Sequence, residues 1–255
     1  MYKRLSIGIF IVAVVIAAGL AAFRIFYQET GVREKIELYE KRFAAETVNL
    51  ALGAGPLADT LDPQEFRDNT YNLAHADQTL YYSSAYFKRV IEKSPKLKNL
   101  IIEVAPLNLF MSRDASFHDK ARDKNEAVPL QLQGEVDAYL NKSLHFKNAE
   151  ANESSLREMI RAARARDIEV YLVWPPYYSA FAGALKKSMD AAWKSRFDKL
   201  INDLVSEKGV HYIDLSQLFI SRTDENDLFF DSVHLNTRGA KLFSSVLNTA
   251  LTEAP

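Results

Sequence analysis

Cysteine is absent from this chain of 255 residues. That excludes disulfides, thiolate metal sites and cysteine nucleophiles together. It does not fix the compartment, because exported domains of this size fold without disulfides. A concentrated positive run is also missing, and the formal net charge is −1. Binding DNA or RNA needs a basic footprint, so a nucleic-acid partner is excluded as an expectation. No internal repeat or low-complexity block is present, and the hydrophobic content of 48% with 25% charged residues is that of a globular protein rather than a disordered one. His118, His145 and His211 have no partners at metal-ligand spacing, so neither a metal nor any other cofactor is expected.

The strongest physical signal is at the N-terminus. Lys3 and Arg4 precede an uncharged, mostly apolar run from Leu5 to Phe23, which Arg24 ends. Such a run, as a helix, spans about 28 Å, close to the hydrocarbon thickness of a bilayer. It predicts a single membrane anchor. A cleaved signal peptide is the competing reading, since Ala17, Ala18, Gly19, Ala21 and Ala22 supply small residues for cleavage. In both cases the remainder crosses the membrane. Lys3 and Arg4 favour a cytoplasmic N-terminus, against which Arg24, Arg33 and Lys35 weigh. The organisation expected is a tip and transmembrane helix over 1–25, a helical stalk over 26–45 and one domain over 46–255.

In that domain short apolar strands alternate with helical patterns. Strands are predicted at Thr47–Leu52, Thr70–Ala74, Asn99–Val104, Ile168–Trp174 and Val210–Ile213. Helices are predicted over Gln78–Lys93, Leu130–Leu144, Ser154–Ala165, Ala184–Lys208 and from Thr237 onward, the last burying Leu242, Phe243, Val246 and Leu247. The polar stretch Ser112–Ala127 reads as a surface excursion or lid. This order predicts an α/β fold: a parallel sheet of about five strands, flavodoxin-like, covered by helices on both faces. Ligands of such sheets bind at the carboxyl ends of the strands. The loops after Leu52, Ala74, Val104, Trp174 and Ile213 should converge there.

Near the C-terminus the chain reads Asp231-Ser232-Val233-His234-Leu235-Asn236, then Thr237-Arg238-Gly239-Ala240. A carboxylate three residues before a histidine can hold one ring nitrogen and leave the other free to take a proton from a hydroxyl. An isolated pair of this kind is as well explained by a capping aspartate and a half-buried histidine.

The DxxHLNxxGA pattern at the end of an α/β chain resembles the last block of the SGNH (GDSL-like) hydrolase superfamily. Other pieces agree in order: Leu52-Gly53 with Asp62-Pro63 after it, Asn72-Leu73-Ala74 with Gln78 and Tyr81-Tyr82, Lys98 to Pro106, and Trp174-Pro175-Pro176. The resemblance runs from about residue 46 to residue 250. It is most similar to the membrane-anchored envelope proteins that accompany membrane-bound O-acyltransferases in D-alanine transfer and alginate acetylation. It implies Asp231 and His234 as catalytic residues, and Asn72, Gln78, Asn108, Pro176 and Tyr177 as oxyanion or pocket candidates. It also implies an envelope polysaccharide, the bilayer and a membrane-bound O-acyltransferase as partners, in the cell (inner) membrane with the domain on its outer side.

One departure bears on activity. The superfamily carries its nucleophilic serine as Gly-x-Ser after the first strand, and here the matching residues are Gly53, Ala54 and Gly55, followed by Pro56. Glycine supplies no attacking oxygen, and it tolerates a positive φ that serine does not. Three readings remain open. The first is an esterase or acyltransferase in which His234 activates a hydroxyl of substrate or water. The second is a non-catalytic relative that binds a glycan or an acyltransferase. The third is an unrelated anchored α/β domain.

Overall fold

The computed structural model describes residues 32–76, 78–110, 146–189 and 191–253. The apolar run from Leu5 to Phe23, the excursion Ser112–Ala127 and the helix expected over Leu130–Leu144 lie outside them. Among the described residues no helix is long and apolar enough to cross a membrane.

Helix α1 is helical over 32–42. Then come β1 (Asn49–Leu52), α2 (Gly55–Thr60), β2 (Thr70–Asn72), α3 (Leu80–Val90), β3 (Asn99–Glu103), α4 (Pro106–Phe110) and α5 (Phe146–Arg164). The chain closes with β4 (Glu169–Trp174), α6 (Ser179–Ser188), α7 (Ala191–Val205), β5 (Val210–Asp214) and α8 (Thr237–Glu253). All strand pairs are parallel, in the order β2-β1-β3-β4-β5. This is the flavodoxin-like order, whose direction reverses between β1 and β3 and opens a crevice at their carboxyl ends.

The strands read as apolar runs because both faces are covered. Leu50, Leu52, Leu100, Ile102, Val170 and Leu172 point to one face, under α1, α3, α5 and α7. The alternate residues Ala51, Ile101, Tyr171 and Val173 point to the other, under α2 and α8. A strand's period of two assigns successive side chains to opposite layers.

Four expectations need correction. The segment expected as a stalk is part of the domain over its described length: Ile36 and Tyr39 are buried in the core. Glu40 pairs with Arg89 and Lys93, which hold its carboxyl at a pKa of about 2. The single helix expected over Ala184–Lys208 is two helices, because Met189 turns to an extended conformation after Ser188 and packs against the core. The helix expected over Ser154–Ala165 begins earlier, at Phe146. In α8, Leu242 and Val246 are exposed and the buried stripe is Ala240, Phe243, Ser244, Leu247 and Leu251. Its rotation is set by Gly239, whose missing side chain lets the helix seat against the Leu228 carbonyl.

Candidate active site

The turn after β1 is assembled around a buried carboxylate. Gly53 is required by close approach: a Cβ there would lie 2.6 Å from Glu103 Cβ and Oε2. Ala54, at the start of α2, has no side chain to cap the helix. Glu103, at the carboxyl end of β3, does so from a distance. Its Oε2 accepts from Ala54 N at 2.8 Å and Leu57 N at 3.2 Å, and its Oε1 accepts from Asn108 Nδ2 at 3.1 Å. Burial raises the Glu103 pKa; these bonds and the charge of His234 oppose the rise without cancelling it. Pro56 suits the first turn of α2, where its fixed φ matches the helix and no N–H is missed.

The loop before α8 is built on Asp231. Its Oδ1 accepts from Val233 N at 2.9 Å and His234 N at 2.8 Å, and its Oδ2 meets His234 Nδ1 at 2.7 Å. One carboxylate therefore shapes the turn and fixes the ring. Burial pushes the Asp231 carboxyl up, but the His234 hydrogen bond and charge and the two backbone N–H groups outweigh it, so its pKa lies below 3.8. Asn236 caps α8, its Oδ1 accepting from Arg238 N and Gly239 N. Gly239 is obligatory, since a Cβ would meet Leu228 O at 2.2 Å. Each fixed letter of the DxxHLNxxGA pattern except Leu235 and Ala240, which are buried core residues, thus holds this loop or the start of α8.

The two loops meet. A Cβ on Gly55 would lie 2.9 Å from His234 Nε2, so Gly55, which the resemblance matches to the serine position, faces that ring nitrogen. Gly55 does not have a positive φ; among the described glycines Gly209 does. The expected backbone obstacle to serine is therefore not found, and the constraint is the nearness of the imidazole. With Nδ1–H donated to the Asp231 carboxylate, Nε2 carries the lone pair and can accept a proton.

The remaining candidates do other work. Asn72 ties down the end of α2: its Nδ2 donates to the carbonyls of Leu57, Ala58 and Leu61, and its Oδ1 accepts from Ala74 N. Asn108 is committed to Glu103 and Ala105 N. Neither amide is directed to an oxyanion beside His234. Gln78 is buried and donates to Ser83, and His75 bonds the neighbouring Ala76 carbonyl. Pro176 and Tyr177 are buried where the chain leaves β4. Tyr177, with Trp174, Phe197, Ile201 and Tyr212, lines a cavity of about 740 Å³ at the carboxyl ends of β4 and β5. Tyr178 N donates to Ser232 O and links this wall to the dyad loop. Among the described residues no group of histidine, aspartate and glutamate could hold a metal ion.

One neighbour of the dyad, Asp59, and one residue coupled to it, Lys35, were not singled out in the sequence. Asp59 Oδ2 lies 3.9 Å from His234 Nε2. The available signal was its spacing, four residues after Gly55 on one helical face. Lys35 of α1 donates to the Ala74 carbonyl. Burial lowers its pKa, and the charge of Asp59 partly restores it. Its sequence neighbours gave no sign that it would reach this edge.

Residues 137–242 match the model of the GDSL-like lipase/acylhydrolase family. No protein of curated function matches the chain. Among solved structures, a GDSL-like lipase from Bacteroides thetaiotaomicron is similar at 13% identity and TM-score 0.52, over 86% of this chain and 98% of that one. An alpha/beta hydrolase from the metagenome of Lake Arreo, Spain, is similar at 12% identity and TM-score 0.51, over 82% and 97%. A catalytic mutant of an acetylxylan esterase from Geobacillus stearothermophilus is similar at 9% identity and TM-score 0.50, over 81% and 94%. At these identities the solved structures speak for the fold. The sequence match over residues 137–242 and the shared fold are what this chain has in common with the GDSL-like lipase/acylhydrolase family.

Proposed function

We propose that this protein is an ester-processing SGNH hydrolase of the cell envelope that acts on acylated glycans without a nucleophilic serine of its own. The observation that carries this reading is the intact dyad, Asp231 Oδ2 to His234 Nδ1 at 2.7 Å, with Nε2 facing Gly55. A histidine so oriented is a general base for an oxygen brought by water or substrate. In this reading Asp231 stays ionised, fixes the tautomer and stabilises the imidazolium that forms. The cavity beside Tyr177 holds the unreactive part of the substrate, and its size and aromatic lining suit a glycan segment. An acetylated polysaccharide is also what the name of the acetylxylan esterase implies for that relative.

The run from Leu5 to Phe23 is proposed as the membrane anchor, with the domain on the outer side and a membrane-bound O-acyltransferase as its partner. One observation favours a second reading, a non-catalytic glycan-binding partner of that acyltransferase: Gly55 brings no oxygen to His234. The two are separated by assaying the full chain in detergent on an acetylated polysaccharide. The first predicts released acetate, and a Trp174→Ala change that raises KM severalfold with little change in kcat. Binding of the polysaccharide with no acetate released would decide for the second.

A further inference from the structure

We infer that the edge of the domain that carries Gly55 and His234 is the face turned toward the lipid bilayer, so that the site opens onto the membrane surface. The inference rests on reading the run from Leu5 to Phe23 as the anchor, and adds the direction in which that anchor holds the domain.

The course of α1 carries the argument. The turn over residues 53–57 and the dyad loop lie at the carboxyl ends of the strands, where Gly55 faces His234. The described part of α1 begins at that same edge. Lys35, near its start, donates to the Ala74 carbonyl at 2.5 Å, just past the carboxyl end of β2. The following residue, His75, donates its backbone N–H to the Gly53 carbonyl at 3.2 Å. α1 thus grips the loop that itself grips the catalytic turn. From there the helix runs antiparallel to the strands. Tyr39 packs on Tyr71 of β2, with ring centroids 4.8 Å apart, and its hydroxyl bonds Ser94 beyond the end of α3. Glu40 pairs with Arg89 and Lys93, also at that end. After α1, Val48 N donates to Asn69 O, where β1 and β2 begin. Ile36 and Tyr39 are buried, so this course is fixed by the core. The chain leading from Phe23 therefore joins the domain at the catalytic edge, and the amino ends of the strands form the far side.

Length decides what this means for orientation. Between Phe23 and Lys35 lie only the residues Arg24 to Glu34. In any conformation they span at most about 40 Å. A single domain of this size is roughly 43 Å across. Turning the amino ends of the strands to the bilayer would carry the attachment point to the opposite side, and the connection would need its full extension to reach. Any shorter path brings the catalytic edge toward the membrane. Holding a chain at its limit also forfeits its conformational entropy, with no contact on the page to offset the loss. The same edge carries Phe230, an exposed ring beside Asp231 on the dyad loop, which a lipid surface can accept.

The chain has no cysteine, so a single label can be introduced at either edge. Ala76→Cys marks the loop after β2, and Lys208→Cys marks the turn between α7 and β5; both positions are exposed. Each full-length variant is spin-labelled and reconstituted into bilayer discs that contain a nickel-chelating lipid. The relaxation enhancement by nickel at the headgroups is then measured. The enhancement at position 76 should be several-fold larger than at position 208. Equal enhancement at the two positions, or a larger one at 208, in discs that retain the protein would overturn the orientation and leave the anchor reading intact. Protein that does not stay with the discs would overturn the anchor reading, and the orientation with it.

Discussion

The turn over residues 53–57 and the loop over residues 231–236 face each other across the site, and they have fared differently. The loop keeps both its scaffold and its chemistry: Asp231 shapes the turn with one oxygen and holds His234 with the other. The turn keeps its scaffold alone. Glu103 caps it, Gly53 makes room for Glu103, and Gly55 faces His234 Nε2 without a side chain. A turn can therefore be held by a buried carboxylate whether or not it carries a reactive side chain.

The largest effect should come from removing the turn's support. Glu103→Ala strips the acceptor from two buried backbone N–H groups and from Asn108, at a cost of about 3 kcal/mol or more. Glu103→Gln keeps one acceptor oxygen and should cost about half as much. Denaturant unfolding of the two variants measures both, and equal stability for Glu103→Ala and the unmodified protein would show that the turn needs no such support.

Next in size is the loop's own scaffold. Gly239→Ala places a carbon against the Leu228 carbonyl and should cost about 2 kcal/mol through overpacking. Asn236→Ala removes the α8 cap and should cost about 1 kcal/mol. The same unfolding curves order the two. A larger loss for Asn236→Ala would mean that the cap, rather than the close seating of α8, sets the loop.

The smallest effect sharpens the comparison by sign. Asp231 has a lowered pKa, so its contribution to stability is complete above 3.8 and is lost as pH falls through its folded value. Glu103 has a raised pKa, so its contribution is complete below 4.5 and is lost as pH rises through its folded value. Stability measured against pH should therefore lose Asp231's share of the acid-side decline in Asp231→Asn, while the shares of Glu40 and Asp224 remain. In Glu103→Gln it should lose the decline above 4.5. A shared direction for the two variants would contradict the assignment.

Much of this was legible in the sequence where a residue's role is local. The alternation of apolar strands and helices gave the parallel sheet, because strands buried on both faces must be apolar throughout. Asp231, His234, Asn236 and Gly239 lie within nine positions and act on one another, so the pattern that they form and its resemblance to the last block of the superfamily brought them forward. Asp59 and Lys35 did not stand out, since each reaches the site only through the packing of its helix. Asn72 and Asn108 were over-read for the complementary reason. An asparagine near a site has two uses, and only the tertiary structure shows that both amides are occupied with backbone and with Glu103. The α8 stripe was misjudged by one position because its rotation depends on the contact of Gly239 with a distant carbonyl.

Ester turnover by Asp231 and His234, with no attacking oxygen supplied at Gly55, is the step proposed for this protein. It is tested most directly by following acetyl-glycan hydrolysis and intact protein mass together, in the unmodified protein and in His234→Ala. The account predicts steady turnover with no acetylated protein at any time, reduced about a hundredfold or more in His234→Ala. Turnover that survives the loss of His234, or an acetyl group found on the protein during turnover, would contradict it.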